Sequence, residues 1–153
     1  MKILTITAAL LCAIAITVYV NAFEFALGAR YAGTGTVATI KTDTRLIQAE
    51  ALIGPLQIGL GSVQEVTAAY PFTIGLIKKF PVSFLNIYLG GDITLYSLPA
   101  SMGHFAWSMQ AKTGIEVKFG IFGAYGGFGY AYVEPDKTTN LTWETGLRTY
   151  IFR

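Results

Sequence analysis

A single histidine stands among the residues of this chain that could carry out chemistry. His104 lies between Ser101 and Ser108, and Glu134 and Asp136 follow in a later connection. A serine nucleophile, a histidine base and an orienting carboxylate would suit acyl-transfer or hydrolytic chemistry. A lone histidine flanked by serines is nevertheless common in proteins without such activity, so the sequence predicts no catalytic residue.

A second set of reactive side chains consists of charged residues that alternate with apolar ones. The five acids are Glu24, Glu50, Asp92, Glu116 and Glu144, and the four bases are Arg30, Lys112, Lys118 and Arg148. All of them except Lys118 make up the predicted lumenal polar network. Charges of nearly equal number on one buried face would pair and fill a narrow interior, and a catalytic or proton-conducting lumen is the alternative. Strand order makes Glu144 with Arg30 and Asp92 with Lys112 the pairs that we expect to meet.

Metal, cofactor and nucleic-acid binding have little support in the sequence. No cluster has the spacing of metal ligands, and the glycine-rich stretch 120–129 lacks the Lys-Ser/Thr pair of a phosphate loop. The formal net charge is only +2, and the single cysteine, Cys12, lies in an apolar N-terminal run. We therefore expect no metal, no cofactor and no nucleic-acid partner.

The elements that must position the charges are β-strands. From Phe23 onward apolar and polar or small residues alternate with period two, which is the spacing of a strand with two different faces. Seven further segments repeat the pattern. They cover about residues 45–53, 56–61, 70–78, 83–96, 107–119, 122–132 and 141–152. In the charged segments, rows of mostly Leu and Ile share one face and the charges share the other. In the last segment Phe152 falls on the charged face with Arg148 and Tyr150.

The connections between these segments alternate between long and short. They fall at about 33–44, 54–55, 62–69, 79–81, 97–106, 120–121 and 134–139. Aromatic residues concentrate near both ends of the segments. Tyr31, Tyr70, Trp107, Tyr130, Tyr132 and Trp143 lie toward the long loops, and Phe23, Phe80, Phe119 and Phe122 lie toward the short turns. This rhythm and two aromatic girdles are typical of a transmembrane barrel with both termini at the turn end.

The N-terminus has the pattern of an export signal. Lys2 precedes an apolar run from Ile3 to Val20, and Val20 and Ala22 stand where a signal peptidase requires small residues. We predict a signal peptide over 1–22 and a transmembrane barrel over 23–153. An uncleaved membrane anchor is the alternative, but the strand-like alternation begins immediately at Phe23.

Residues 23–153 resemble the small eight-stranded outer-membrane barrels of the OmpA/OmpX type, through the alternating strands, the loop rhythm and the C-terminal segment 144–153. In that family the last strand carries a signal for the barrel-insertion machinery, a glycine followed by spaced hydrophobic residues. Gly146 and Ile151 match it, whereas Thr149 stands where an aromatic residue is common and Arg153 follows Phe152. The resemblance implies an all-β, eight-stranded, antiparallel up-and-down barrel in the bacterial outer membrane.

The expected function is a structural or surface-interaction role for a barrel with a closed polar lumen and no large pore. Its expected partners are outer-membrane lipid, the barrel-insertion machinery and an extracellular partner of the loops. Two alternatives remain open. One is a lipid A-modifying enzyme, and the other is a soluble secreted barrel that carries a hydrophobic ligand, with Glu116 and Arg148 outside and the Leu/Ile rows inside.

Overall fold

Eight antiparallel strands close into a barrel in the computed structural model, which describes residues 24–35, 44–64, 69–98, 105–134 and 137–152. They are β1 (Phe25–Gly35), β2 (Thr44–Ile53), β3 (Leu56–Val63), β4 (Tyr70–Val82), β5 (Leu85–Ser97), β6 (Phe105–Phe119), β7 (Phe122–Glu134) and β8 (Thr138–Phe152). Each strand pairs with the next, and β8 pairs with β1. The predicted fold class is confirmed, whereas the predicted signal peptide, 1–22, lies outside the described residues.

The register of the pairs fixes how strongly the strands tilt. Starting at Val117 on β6, successive paired residues lead around the barrel through Leu147 and Leu60 and return to β6 at Trp107, ten residues along the same strand. A shift of ten residues over eight strands corresponds to a tilt of roughly 40°. A barrel of this size has an interior that side chains alone can fill.

The two faces of the strands have opposite character. Leu89, Ile115 and Leu147 point outward and are between 51% and 66% exposed, whereas Glu116 and Arg148 point inward and are at most 2% exposed. This facing follows the alternation in the sequence, because successive side chains of a strand lie on opposite sides of the sheet. Within the described residues, no helix has the length and apolar character needed to cross a membrane.

The sequence prediction was wrong about the end of β4. Residues 79–81 were expected to form a turn, but the strand continues to Val82 and the turn lies at Ser83-Phe84, where Ser83 has a φ of 57°. The N–H of Ile77 points toward the β3 side and bonds to Pro55 O. The backbone N–H groups of alternate residues in a strand point the same way. At Pro81, which has no N–H, this direction is the edge of β4 that extends beyond the start of β3, so no hydrogen bond between strands is lost.

The prediction was also wrong about Phe152. Parity with Arg148 and Tyr150 would place this side chain inside the barrel, but it is 63% exposed on the outer surface. The pairing between β1 and β8 shifts there, because Ala26 pairs with Tyr150 while Phe25 pairs with Phe152. Such a β-bulge adds one residue to a strand and reverses the parity beyond it, so the Phe152 ring lies beside that of Phe25, 6.5 Å between centroids.

Aromatic side chains are present on the outer surface at both ends of the barrel. At the turn end Phe80, Phe119 and Phe122 are exposed, and Phe84 at the tip of the β4–β5 turn is exposed as well. At the loop end the exposed rings include Tyr70 and Tyr130. Trp107 and Tyr132 pack against each other near the same end, with 6.1 Å between ring centroids. The large apolar area between these ends is the outward face of the strands.

Candidate functional site

The interior of the barrel contains equal numbers of acidic and basic side chains among the described residues. The acids are Glu24, Glu50, Asp92, Glu116 and Glu144, and the bases are Arg30, Lys79, Lys112, Lys118 and Arg148. The structure places all eight residues of the predicted lumenal network here. Since each acid and each base takes part in at least one ion pair, the charge of the lumen is balanced internally.

A four-residue charge cluster occupies the middle of the lumen. Lys112 Nζ lies 2.8 Å from Asp92 Oδ2 and 3.0 Å from Glu144 Oε2. Arg30 Nε lies 2.8 Å from Glu144 Oε2, although without hydrogen-bond geometry, and Arg30 Nη2 lies 3.3 Å from Asp92 Oδ2. The pairs expected from strand order, Arg30 with Glu144 and Asp92 with Lys112, are therefore in contact. They share one arrangement of two cations and two anions rather than standing as separate pairs.

A second chain of ion pairs continues toward the turn end. Arg148 Nε lies 2.6 Å from Glu50 Oε1, and Arg148 Nη1 lies 3.2 Å from Glu116 Oε1. Lys79 then joins Glu116 to Glu24, at 3.0 and 2.9 Å. The Tyr150 hydroxyl also donates to Glu116. Each carboxylate in this chain accepts from at least two donors, which is the arrangement that compensates a buried charge.

Gln57 connects the two groups of charges. Its Nε2 donates to Glu50 Oε2 at 2.7 Å, and its Oε1 accepts from Lys112 Nζ at 2.7 Å. Its side chain is buried, so both ends of the amide are used inside the protein. A continuous network of polar contacts therefore runs from Glu24 at the turn end to Asp92 in the middle of the barrel. Such a network fills the lumen with side chains, as the width of an eight-stranded barrel allows.

Tyrosine rings fill the interior where glycines make room for them. The Tyr88 hydroxyl donates to Glu144 Oε1 at 2.7 Å, and a Cβ placed on Gly127 would collide with that hydroxyl. Tyr125 packs edge-on against Tyr88, with 6.2 Å between ring centroids, and the Arg148 guanidinium lies 3.9 Å from the Tyr125 centroid. This contact is a cation–π interaction in a desolvated setting. Gly127 of β7 thus has a packing role.

The composition of the lumen changes toward the loop end. Above the charges, Gln48 Nε2 donates to Thr73 Oγ1, and Thr73 Oγ1 lies 2.8 Å from Thr94 Oγ1. Beyond this polar layer lies an apolar cluster. It consists of the buried residues Ala32, Leu46, Val63 and Ala69, with Tyr96 and Leu98 packed against them. The lumen therefore contains hydrocarbon toward this end and compensated charge farther down.

Lys79 is the lumenal residue that the sequence analysis missed. It was assigned to the connection 79–81, yet its ammonium contacts Glu24 and Glu116 and lies 4.8 Å from the centroid of the Tyr150 ring. The alternation of inward and outward residues in β4 indicates this position, because continuing it by two residues beyond Ile77 places Lys79 inside. The five acids and four bases assigned to the inner face left one acid over, which was a second signal of a missing base.

Glu24 closes the network at the turn end, just before β1. Its carboxylate lies 2.9 Å from Lys79 Nζ and 2.5 Å from Lys118 Nζ. Burial raises the pKa of Glu24, but the hydrogen bond from Lys118 and the charge of Lys79 outweigh that effect, so its pKa lies below the ordinary value. The ionised form of Glu24 is therefore the one that the folded protein stabilises.

The candidates for chemistry in the connections are only partly covered by the structure. His104, Ser101 and Asp136 lie outside the described residues. Ser108 is buried near the Tyr96 hydroxyl, at 3.4 Å, and Glu134 accepts from the Tyr132 hydroxyl at 2.6 Å. Within the described ranges, no group of three His, Cys, Asp or Glu side chains could hold a metal ion.

Comparisons with known proteins identify the fold. No protein-family model matches the chain, and no curated protein matches it. Among solved structures, the crystal structure of Neisserial surface protein A is similar with a TM-score of 0.50 and 16% sequence identity, over 83% of this chain and 96% of that one. A loop-deletion variant of OmpT, an outer membrane protein of Vibrio cholerae, has a TM-score of 0.33 and 20% identity, over 77% of this chain and 43% of that one.

The first of these similarities covers nearly the whole length of both chains and therefore concerns the entire barrel. At 16% identity it establishes architecture rather than activity. The chain thus has the fold of an outer-membrane β-barrel, a small closed barrel of eight antiparallel strands.

Proposed function

We propose that this protein is inserted in the bacterial outer membrane as a closed barrel with a structural or surface-interaction role. The observation that carries the proposal is the lumen, where five acids and five bases pair with one another around Gln57. An interior filled in this way supplies neither a wide pore nor an uncompensated charge for transport. The surface and the loops are then the parts available for interaction.

The outward face supports membrane insertion. Leu60, Leu89 and Leu147 are at least half exposed, and the charged rows are turned away from them. Apolar side chains in contact with lipid carry no free-energy penalty, whereas an Arg or Lys at the bilayer midplane destabilises a barrel by about 2–4 kcal/mol. A soluble carrier of a hydrophobic ligand needs the opposite facing, with Glu116 and Arg148 outside, and these two side chains are buried in the lumen.

Export and assembly follow from the two ends of the chain. The N-terminal 22 residues have the pattern of a cleaved signal peptide. The C-terminal strand, with Gly146 and Ile151, supports recognition by the barrel-insertion machinery. Short turns belong on the periplasmic side and long loops on the extracellular side, so an external partner would meet the loops.

Membrane fractionation combined with heat-modifiable gel mobility tests this proposal. We expect the protein in the outer-membrane fraction, with a mobility that shifts on boiling because the closed barrel resists detergent at room temperature. In planar bilayers the purified barrel should give no stable conductance steps of porin size. Recovery in the soluble periplasmic fraction, or large and stable conductance, would contradict the proposal.

The enzyme alternative has a separate test. We predict that replacing His104 and Ser101 together by Ala leaves the lipid A of cells that express the protein unchanged, as judged by mass spectrometry of extracted lipid A. Modified lipid A that appears with the wild-type protein and disappears with the double variant would identify an enzyme instead.

A further inference from the structure

The rim of the barrel at the turn end is uneven. β3 begins at Leu56, which pairs with Leu76, whereas β4 continues for six more residues to Val82. The Gly54-Pro55 turn therefore lies about 20 Å from the β4–β5 turn, measured along β4. Within the described residues no strand pairs with this side of 77–82. We call the resulting gap below the Gly54-Pro55 turn the rim notch.

Two backbone hydrogen bonds hold the Gly54-Pro55 turn in place beside β4, at the upper boundary of the rim notch. The Ile77 N–H donates to Pro55 O at 2.8 Å, and the Gly54 N–H donates to Glu24 O at 2.6 Å. Because the N–H of Ile77 points to this side, that of Lys79 two residues later points to the same side, into the notch. Pro81, the next residue of this series, has no N–H. The free edge thus offers a hydrogen-bond donor beside Lys78.

Lys78 stands on the outer surface at the same place. It lies between the outward residues Leu76 and Phe80, and its ammonium lies 5.5 Å from the centroid of the Phe80 ring. No acid of the described residues forms an ion pair with Lys78, in contrast to every base of the lumen. A cation on an otherwise apolar outer surface is unfavourable unless an anion or water reaches it.

Glu24, whose carbonyl oxygen accepts from the Gly54 N–H at the notch, has its carboxylate already engaged. Glu24 points inward to Lys79 and Lys118, so its charge serves the lumen. The neighbouring outward residues, Leu56, Leu76 and Leu89, supply apolar surface rather than acids. A ligand that binds Lys78 in the rim notch must therefore combine an anionic head with a surface that tolerates hydrocarbon.

We propose that Lys78 and the edge of β4 in the rim notch bind the phosphate group of an anionic phospholipid in the leaflet at the turn end. The phosphate oxygens accept from the Lys78 ammonium and from the Lys79 N–H, and the acyl chains lie against the Leu76 and Leu89 side chains. The site rests on the proposed membrane insertion. It concerns one side of the barrel, because the β4 edge below β3 is what creates the notch.

The test compares lipid retention by variants of the complete barrel. Purified protein with heat-modifiable mobility is reconstituted in nanodiscs of mixed phosphatidylglycerol and phosphatidylcholine, and the lipids retained in gentle detergent are counted by native mass spectrometry. We expect wild type to retain phosphatidylglycerol preferentially. Lys78→Gln should lower that retention about fivefold, the factor equivalent to roughly 1 kcal/mol for one lysine near a charged lipid surface. Lys78→Arg should preserve retention, and Lys137→Gln, which removes an exposed lysine at the loop end, should leave it unchanged.

Each other outcome decides against the site. Equal retention by wild type and Lys78→Gln, or an equal loss with Lys137→Gln, would show that Lys78 has no particular role. Displacement of phosphatidylglycerol by millimolar inorganic phosphate would identify a free-anion site and overturn the lipid assignment. Wild-type protein that enters nanodiscs without any preference would overturn only this inference, whereas protein that does not insert at all would overturn the proposed function together with it.

Discussion

Neutralising Asp92 and Lys112, singly and together, tests how the closed lumen is stabilised. Lys112 Nζ lies 2.8 Å from Asp92 Oδ2, and both side chains are at least 98% buried. Asp92→Asn leaves the cations Arg30 and Lys112 facing the single acid Glu144, while Lys112→Gln leaves two acids facing Arg30. The double variant keeps Arg30 with Glu144, which is again a neutral pair. Charge imbalance is therefore expected in the single variants only.

The size of the effect follows from desolvation. Breaking a buried pair by removing one partner costs about 3–5 kcal/mol, because it leaves one buried charge uncompensated. Removing both partners avoids that cost, so the double variant should be destabilised by clearly less than the sum of the single changes. We expect a coupling energy of about 1 kcal/mol or more between Asp92 and Lys112, compared with about 0.2–1 kcal/mol for pairs exposed to solvent.

Denaturant unfolding of the four proteins in the same detergent or lipid measures this coupling. The fluorescence of Trp107 and Trp143 and far-ultraviolet circular dichroism should give coincident transitions, which justifies two-state free energies. A matched control combines Asp92→Asn with Lys137→Gln, since Lys137 is exposed near the loops. That second cycle should be additive within about 0.3–0.5 kcal/mol.

Additive effects of Asp92→Asn and Lys112→Gln would refute the reasoning, because charges in a hydrated pore are screened and do not depend on one another. Ion conductance by the double variant at full stability would have the same meaning. Either result would replace a closed, packed lumen with a water-filled one.

Three further predictions concern packing, acid stability and facing. Gly127→Ala should destabilise the barrel by about 1–3 kcal/mol, because the new Cβ would collide with the Tyr88 hydroxyl. Gly126→Ala should be close to neutral in the same unfolding assay, because its Cβ would meet its nearest atom at 3.7 Å. The pKa of Glu24 is lowered from 4.5, so its contribution to stability is present above about pH 4.5 and is lost as the pH falls through the lowered value. The stability difference between wild type and Glu24→Gln should therefore shrink in acid. A difference that grows in acid would contradict this prediction. Leu147→Arg should lower stability in lipid vesicles by up to about 2–4 kcal/mol more than Leu147→Ala does, and equal effects would mean that Leu147 does not face lipid.

The sequence alone was sufficient for the strands and for their facing. Alternation with period two is a local property of the chain, and the cost of placing a charge in lipid or hydrocarbon acts on each residue separately. For that reason Arg30, Glu116 and Arg148 could be assigned to the interior without coordinates. The same local reasoning failed at two places. The turn expected at 79–81 lies at Ser83-Phe84, and the β-bulge in β8 turns Phe152 outward.

The tertiary structure alone decided which charges meet across the lumen. Arg148 and Glu50 are 98 residues apart, and Lys79 and Glu24 are 55 residues apart, on strands that are not neighbours in the sheet. Their contacts depend on the ten-residue shift of register around the closed barrel, which sets the height of each side chain relative to those on the opposite wall. Closure is a property of all eight strands together, and no single segment of sequence encodes it.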